Sequence, residues 1–251
     1  MDDGRAGTAP RALARLGGAL YLVIIVLGIF GEVFVRDRIF VSGDAAATAA
    51  NLRAMERLWR VGIATEVVLL LCATALTLIF FVLLEPVSRN LALLAVFFNL
   101  VSVSIEATAA LDLVRALFPL GDAAYLKALP AEERDAMASL AIRSHAHGFG
   151  VALIFFGCVC LVLGYLIFRS GYLPKLVGVL MQIAGLSYLT DSFALILAPG
   201  FASRIFPAIL VPAFVGEASF CLWLLVKGVN VEKWRERAGV RAVAGGSAAF
   251  H

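Results

Sequence analysis

Apolar positions in this chain gather into long uninterrupted runs instead of alternating with polar ones. Six runs stand out, at 16–35, 59–84, 90–117, 147–168, 173–198 and 205–226. Each is about 20–28 residues long, enough to cross a hydrocarbon layer of about 30 Å at about 1.5 Å per helical residue. A span in lipid must satisfy its own backbone, so the pattern predicts an all-α polytopic membrane protein. The fold expected is a six-transmembrane-helix bundle with short helical segments in the outer loops. Pro86 and the Gly171/Pro174 pair mark tight connections between spans two and three and between four and five. Asp44 is placed to cap an Ala-rich helix that leads toward span two. Pro130 with Glu132, Glu133 and Asp135 predicts a helix start that continues into span four. The chain then divides into a cytoplasmic segment 1–15, a membrane domain 16–229 and a charged, flexible cytoplasmic tail 230–251.

Composition agrees with that pattern. The chain is 62% hydrophobic and 16% charged, with a mean hydropathy of +0.95, well beyond a soluble domain. A net charge of +3 spread among span ends provides no nucleic-acid surface. Arg5, Arg11 and Arg15 precede the first run, but it is longer than a signal peptide's and lacks a cleavage site, so it reads as a retained span. Together with Arg89, Arg169, Lys175, Lys227, Lys233, Arg235, Arg237 and Arg241 they favour both termini in the cytoplasm, in an inner (plasma) membrane. Cys72, Cys158, Cys160 and Cys221 all fall in apolar runs and read as small packing residues. Trp59, Trp223 and Trp234 suit interfacial anchoring.

Glycines recur every seventh residue at Gly150, Gly157 and Gly164 and again at Gly171, Gly178 and Gly185, with Ser192 next. Seven residues is close to two turns, so each set makes a smooth stripe that lets membrane helices approach closely. The tight turn joining spans four and five predicts that the two stripes face each other.

Ionisable groups in a span are costly and normally face protein or water. With the termini inside, Glu32, Glu66, Glu106, Asp191 and Glu217 and the His145/His147 pair gather toward the outer half. Asn99, Ser102 and Glu106 share one helical face, and Tyr188 and Asp191 are one turn apart. The candidate ligand-binding pocket, opening outward, is therefore lined by Glu66, Asn99, Glu106, His147, Tyr188, Asp191 and Glu217. His147, one turn before Gly150, is expected to face a neighbouring helix, and His145 to be solvated. Glu32 with Arg36, and Asp112 with Arg115, have the spacing of local ion pairs. The weak metal candidates are His147, Glu106 and Asp191. No His-Glu-x-x-His motif occurs, and residues two apart on a helix point about 200° apart, so His145 and His147 do not share an ion. His251 in the tail is a poor haem ligand. No motif specifies a cofactor or an oligomeric state. Three readings stay open: a binding, sensory or lipid-interacting protein, whose partners are the bilayer and a lipid or small molecule; a proton-coupled small-molecule transporter; and a metal-dependent membrane hydrolase.

Several segments also resemble one family. They are Arg15-Leu16-Gly17-Gly18-Ala19-Leu20-Tyr21-Leu22, Leu84-Glu85-Pro86-Val87-Ser88-Arg89-Asn90-Leu91, Phe155-Phe156-Gly157, Gly164-Tyr165-Leu166-Ile167-Phe168-Arg169-Ser170-Gly171-Tyr172-Leu173-Pro174 and Tyr188-Leu189-Thr190-Asp191-Ser192. Over residues 13–229 the chain is similar to the bacterial integral-membrane family called domain of unknown function 4386. The resemblance implies a bacterial six-span membrane protein and carries over no activity and no catalytic residue.

Overall fold

The computed structural model describes residues 3–247, with side chains from Pro10 to Gly239; the side chains of Arg5 and Arg241, and His251, lie outside them. The described chain is helical, without a strand. Helix α1 (Asp3–Ile29) runs into a π-helical stretch, Phe30–Arg36, and a short α2 (Asp37–Ile39). There follow α3 (Ala45–Ala54), α4 (Glu56–Leu84), α5 (Arg89–Arg115), two 3-10 turns (Phe118–Leu120 and Ala124–Ala128), α6 (Ala131–Ser170), α7 (Lys175–Leu197), α8 (Pro199–Ile205), α9 (Leu210–Val226) and α10 (Val231–Ser247). Five stretches are long and apolar enough to cross a membrane: Pro10–Ile39, Glu56–Leu84, Arg89–Leu120, Ala131–Ser170 and Lys175–Leu197. Helices α8 and α9, bent by 57° at their junction, pass the same test together and bring the number to six. Large apolar side chains such as Leu71, Leu78, Phe97, Leu176 and Val211 lie exposed on these helices, as lipid contact requires and water would penalise.

The expected cap is present: Asp44 accepts from the Ala47 amide at 2.8 Å. Its helix stops at Met55, the single residue between α3 and α4. Pro130 falls one position before α6, which does run on through span four. The stretch 231–247, expected to be flexible, carries α10.

The chain forms two compact units. The first takes the chain's two ends, up to Leu22 and from Leu153, with Ala73–Ser102. Here α6 and α7 meet glycine to glycine. A Cβ on Gly164 would lie 2.6 Å from the Gly178 carbonyl oxygen, and one on Gly185 2.6 Å from that of Gly157. Gly157 and Gly164 of one predicted stripe thus face Gly185 and Gly178 of the other, while Gly171, at φ +78°, belongs to the turn between the helices. The Leu83 carbonyl, in the last turn of α4 where no helical donor follows, takes two side-chain donors. These are the Tyr172 hydroxyl at 2.6 Å and the Trp234 indole at 3.0 Å.

The second unit comprises Val23–Cys72 and Val103–Ala152. Its core is Val35, Ile39, Leu52, Trp59, Leu113, Ala116 and Ile142. Trp59 is 1% exposed and donates its indole N–H to the Leu113 carbonyl at 2.9 Å. That corrects the expectation of an interfacial anchor: the α3 helix and the loops around it cover this ring, and the carbonyl satisfies its one polar atom. Close approaches again fall at small residues. A Cβ on Gly62 would lie 2.8 Å from a Val35 methyl, and one on Gly148 2.7 Å from the Ala109 Cβ.

Candidate functional site

Each unit encloses a polar cluster. In the second unit it starts from the π-helical stretch, whose wider turn brings residues five apart into register. Arg36 therefore folds back over Gly31, where a Cβ would lie 3.6 Å from Nη1. From there Nε donates to Glu32 Oε2 and Nη1 to Glu66 Oε2, each at 2.7 Å. The predicted Glu32–Arg36 pair is present, extended by a third member from α4. Glu32 is half exposed, whereas Glu66 is 7% exposed.

The other oxygen of Glu66, Oε1, is buried and accepts no hydrogen bond. Facing it at 3.7 Å is Nε2 of His145. His145 is 2% exposed, sets Nδ1 against the Ala109 carbonyl at 3.2 Å and stacks on Phe149. A carbonyl only accepts, so Nδ1 carries a ring hydrogen; with the ring neutral, Nε2 turns a lone pair toward Glu66. In that state two acceptors face each other with no proton between them. Glu106, partly buried, lies within electrostatic reach of Glu66 and Arg36. Beside this cluster, Asp112 pairs with Arg115 as predicted and also accepts from the Ser144 hydroxyl at 2.6 Å.

The two histidines exchange the roles expected of them. His145 is buried, while His147 is exposed, with Nδ1 against the Arg143 carbonyl one turn back on its own helix. The reason is helix phase. The contact face of α6 here is set by Gly148 on Ala109, and His145 sits one turn before Gly148 on that face.

In the first unit the cluster is centred on Glu217. Gly216 presses α9 onto α7, since a Cβ there would lie 2.6 Å from the Leu180 carbonyl. Gly18 does the same for α1 against the backbone of Leu225. These approaches carry two phenols to one carboxylate. Tyr21 donates to Oε2 at 2.9 Å and Tyr188 to Oε1. Tyr21 was not among the residues singled out from the sequence. Asn99 bonds Thr77, which itself donates to the Ala73 carbonyl, and Asp191 is partly buried and takes no part in the Glu217 bonds.

The seven predicted pocket residues therefore divide. Glu66, Glu106 and His147 belong to the second unit; Asn99, Tyr188, Asp191 and Glu217 belong to the first. The structure joins Tyr188 to Glu217 by a bond, puts Glu106 near Glu66, and leaves His147 on the surface. Among the described residues no group of three or more His, Cys, Asp or Glu side chains is arranged to hold a metal ion.

Long apolar helices with charged and hydrogen-bonded clusters enclosed among them define a polytopic all-α membrane protein. The family model described as "Domain of unknown function (DUF4386)" matches residues 16–228, and the chain belongs to that family. It is also similar to an "Uncharacterized protein" of the archaeon Archaeoglobus fulgidus, 29% identical over 163 residues, which is 64% of this chain and 79% of the relative. No solved structure matches it.

Proposed function

We propose that the protein is a membrane-embedded binding or sensory protein that responds to protons through Glu66 and His145, with both termini in the cytoplasm of a plasma (inner) membrane. The observation that supports this reading is the 3.7 Å separation of two buried atoms, Glu66 Oε1 and His145 Nε2, the first of them without any hydrogen bond. A proton on Nε2 turns that opposition into an N–H donor facing a carboxylate, a charge-assisted pair. Histidine is the side chain whose ordinary titration range makes this change accessible near neutral pH. The charged groups facing the imidazole are Glu66, Arg36, Glu32 and Asp112. In the proposed orientation α4 and α6 both enter from outside, which puts Glu66 and His145 in the outer part of their spans, on the side of the external solution.

A second reading, proton-coupled carriage of a small cation, is favoured by the charge count. Glu32, Glu66 and Glu106 outnumber the single guanidinium of Arg36, so the cluster attracts positive charge. The metal-dependent hydrolase has no comparable support.

The test is nitrogen NMR of histidine-labelled protein in bilayers. A ring signal lost in His145→Gln should pass from one N–H to two as the pH falls, and Glu66→Gln should alter that transition. A His145 ring that keeps one tautomer throughout the pH range of stability would sink the proposal. Flux into proteoliposomes driven by a pH gradient, abolished by Glu66→Gln, would select the carrier over the sensor.

A further inference from the structure

Glu217 lies outside that cluster and poses a separate problem of charge. We infer that Glu217, with Tyr21 and Tyr188, forms a second and closed proton-binding centre, in which the carboxyl group holds a proton inside the membrane domain. This inference does not rest on the Glu66–His145 reading.

The hydrogen count comes first. With the carboxyl ionised, each oxygen accepts one phenolic hydrogen, so the three groups share two hydrogens and carry one negative charge. No ion pair among the described residues neutralises it. The titratable groups facing Glu217 from the surrounding helices are Tyr21 on α1, Tyr188 on α7 and Cys160 on α6, with Cys221 on α9 itself. All are uncharged when protonated, and none brings a positive charge.

Depth and packing narrow what can. Glu217 is 8% exposed, and the rings around it are closed: Tyr21 is 2% and Phe220 1% exposed. Tyr21 meets Phe80 and Phe220 edge-on, Phe80 stacks on Phe220, and Tyr188 meets Phe156 edge-on. An ionised carboxylate in such surroundings is expensive, and in hydrocarbon even the lowest scales set that cost at about 2.5–3.5 kcal/mol. A metal ion would need several oxygen ligands, whereas the titratable groups facing Glu217 are two phenols and two thiols. A proton needs no such set. On uptake, one carboxylate oxygen gains the hydrogen and donates it to the phenol oxygen from which it had accepted. That phenol turns its own hydrogen away, and no other bond is made or broken.

Infrared difference spectroscopy of protein in lipid bilayers tests this directly. Wild type minus Glu217→Gln should contain a carboxylic-acid C=O stretch that shifts in heavy water. The stretch should move in Tyr188→Phe, which loses one donor, and persist in Glu66→Gln and His145→Gln. If the difference contains only ionised-carboxylate bands at every pH, or if exchanging sodium for potassium at constant pH changes it, the centre holds no proton and the inference fails. Should Glu217→Gln not fold, the shift of the acid stretch between wild type and Tyr188→Phe decides the matter alone, its absence counting against the centre.

Discussion

Arg36 holds Glu66 through a single 2.7 Å bond from Nη1 while its Nε holds Glu32 at the same distance. The guanidinium fork suits this double duty, and a lysine cannot reproduce it. Removing the cation leaves Glu66 buried and unpaired, which costs about 3–5 kcal/mol. Arg36→Leu should therefore destabilise the protein by that order, and Arg36→Lys should recover only part. Adding Glu66→Leu to Arg36→Leu should restore much of the loss, because the stranded charge is gone. Unfolding in detergent for the two singles and the double gives the coupling directly. Additive effects would mean that the pair does not support the fold.

The glycine seam between α6 and α7 makes a different demand. At Gly164 and Gly178 an added Cβ would lie 2.6 and 2.7 Å from backbone oxygen, so the helices must separate to admit it. Membrane helices associate through close packing, not through a hydrophobic drive, so separation forfeits contacts along the seam. Gly164→Ala and Gly178→Ala should each cost about 1–3 kcal/mol, as overpacking does elsewhere. Gly200, with nothing within 4 Å of its virtual Cβ, is the control. Gly200→Ala should be neutral or stabilising by up to about 1 kcal/mol. Thermal unfolding of the three variants in one detergent checks both halves; equal effects would refute the seam.

The seam was legible because glycine spacing is a sequence quantity, and a tight turn leaves adjacent spans little choice but to pair. The six apolar stretches were legible for the same reason, although the last is a bent pair of short helices. What could not be read was the phase of α6. A helix from Pro130 into span four was expected and is present, but the sequence pattern does not say which of its faces meets a neighbouring helix. His147, expected to line the pocket, is exposed, and His145, expected to be solvated, is buried. A usable signal did exist beside the polar residues. Tyr21 lies one turn from Gly18, Glu66 from Gly62, His145 from Gly148 and Tyr188 from Gly185. Each glycine marks where a neighbouring helix comes close, and a polar group one turn away shares that face. The same rule applied to Gly150 would also have kept His147, which is exposed, so it does not by itself choose between the two histidines. Arg36 reaching Glu66 was beyond such reasoning, since it depends on a π-helical stretch that the apolar pattern does not encode.

Trp59 supplies a test of the second unit by itself. Its ring is enclosed with Leu52, Leu113 and Ile142, and its N–H bonds the Leu113 carbonyl. Trp59→Phe keeps most of the ring volume but leaves that carbonyl without its side-chain donor, a loss of about 1–3 kcal/mol. Trp59→Ala also opens a cavity and should cost about 3–5 kcal/mol. An interfacial tryptophan would respond otherwise, with a small change and altered quenching by lipid-borne quenchers. Protected Trp59 fluorescence together with the graded loss in the two variants is the expected outcome; easy quenching would contradict it.

Tyr172 offers a pH test away from the spans, in the turn between α6 and α7. Burial pushes its phenol well above the ordinary value, the nearby Arg237 opposing this only in part. Tyr172 is 4% exposed and donates to the Leu83 carbonyl at 2.6 Å, a bond that only the neutral phenol can make. In the unfolded chain the same phenol ionises at about pH 10. Because the folded value is the higher one, the stabilisation is complete below about pH 10 and is lost as the pH climbs toward the folded value. Tyr172→Phe forgoes the bond, worth about 0.5–1.5 kcal/mol at neutral pH, while Trp234 still serves the same carbonyl. The gap in unfolding free energy between wild type and Tyr172→Phe should therefore be greatest near neutrality and close as the solution is made alkaline. A gap that stays constant through the alkaline range would show that Tyr172 ionises folded as readily as unfolded, and that its bond to α4 does not hold the turn.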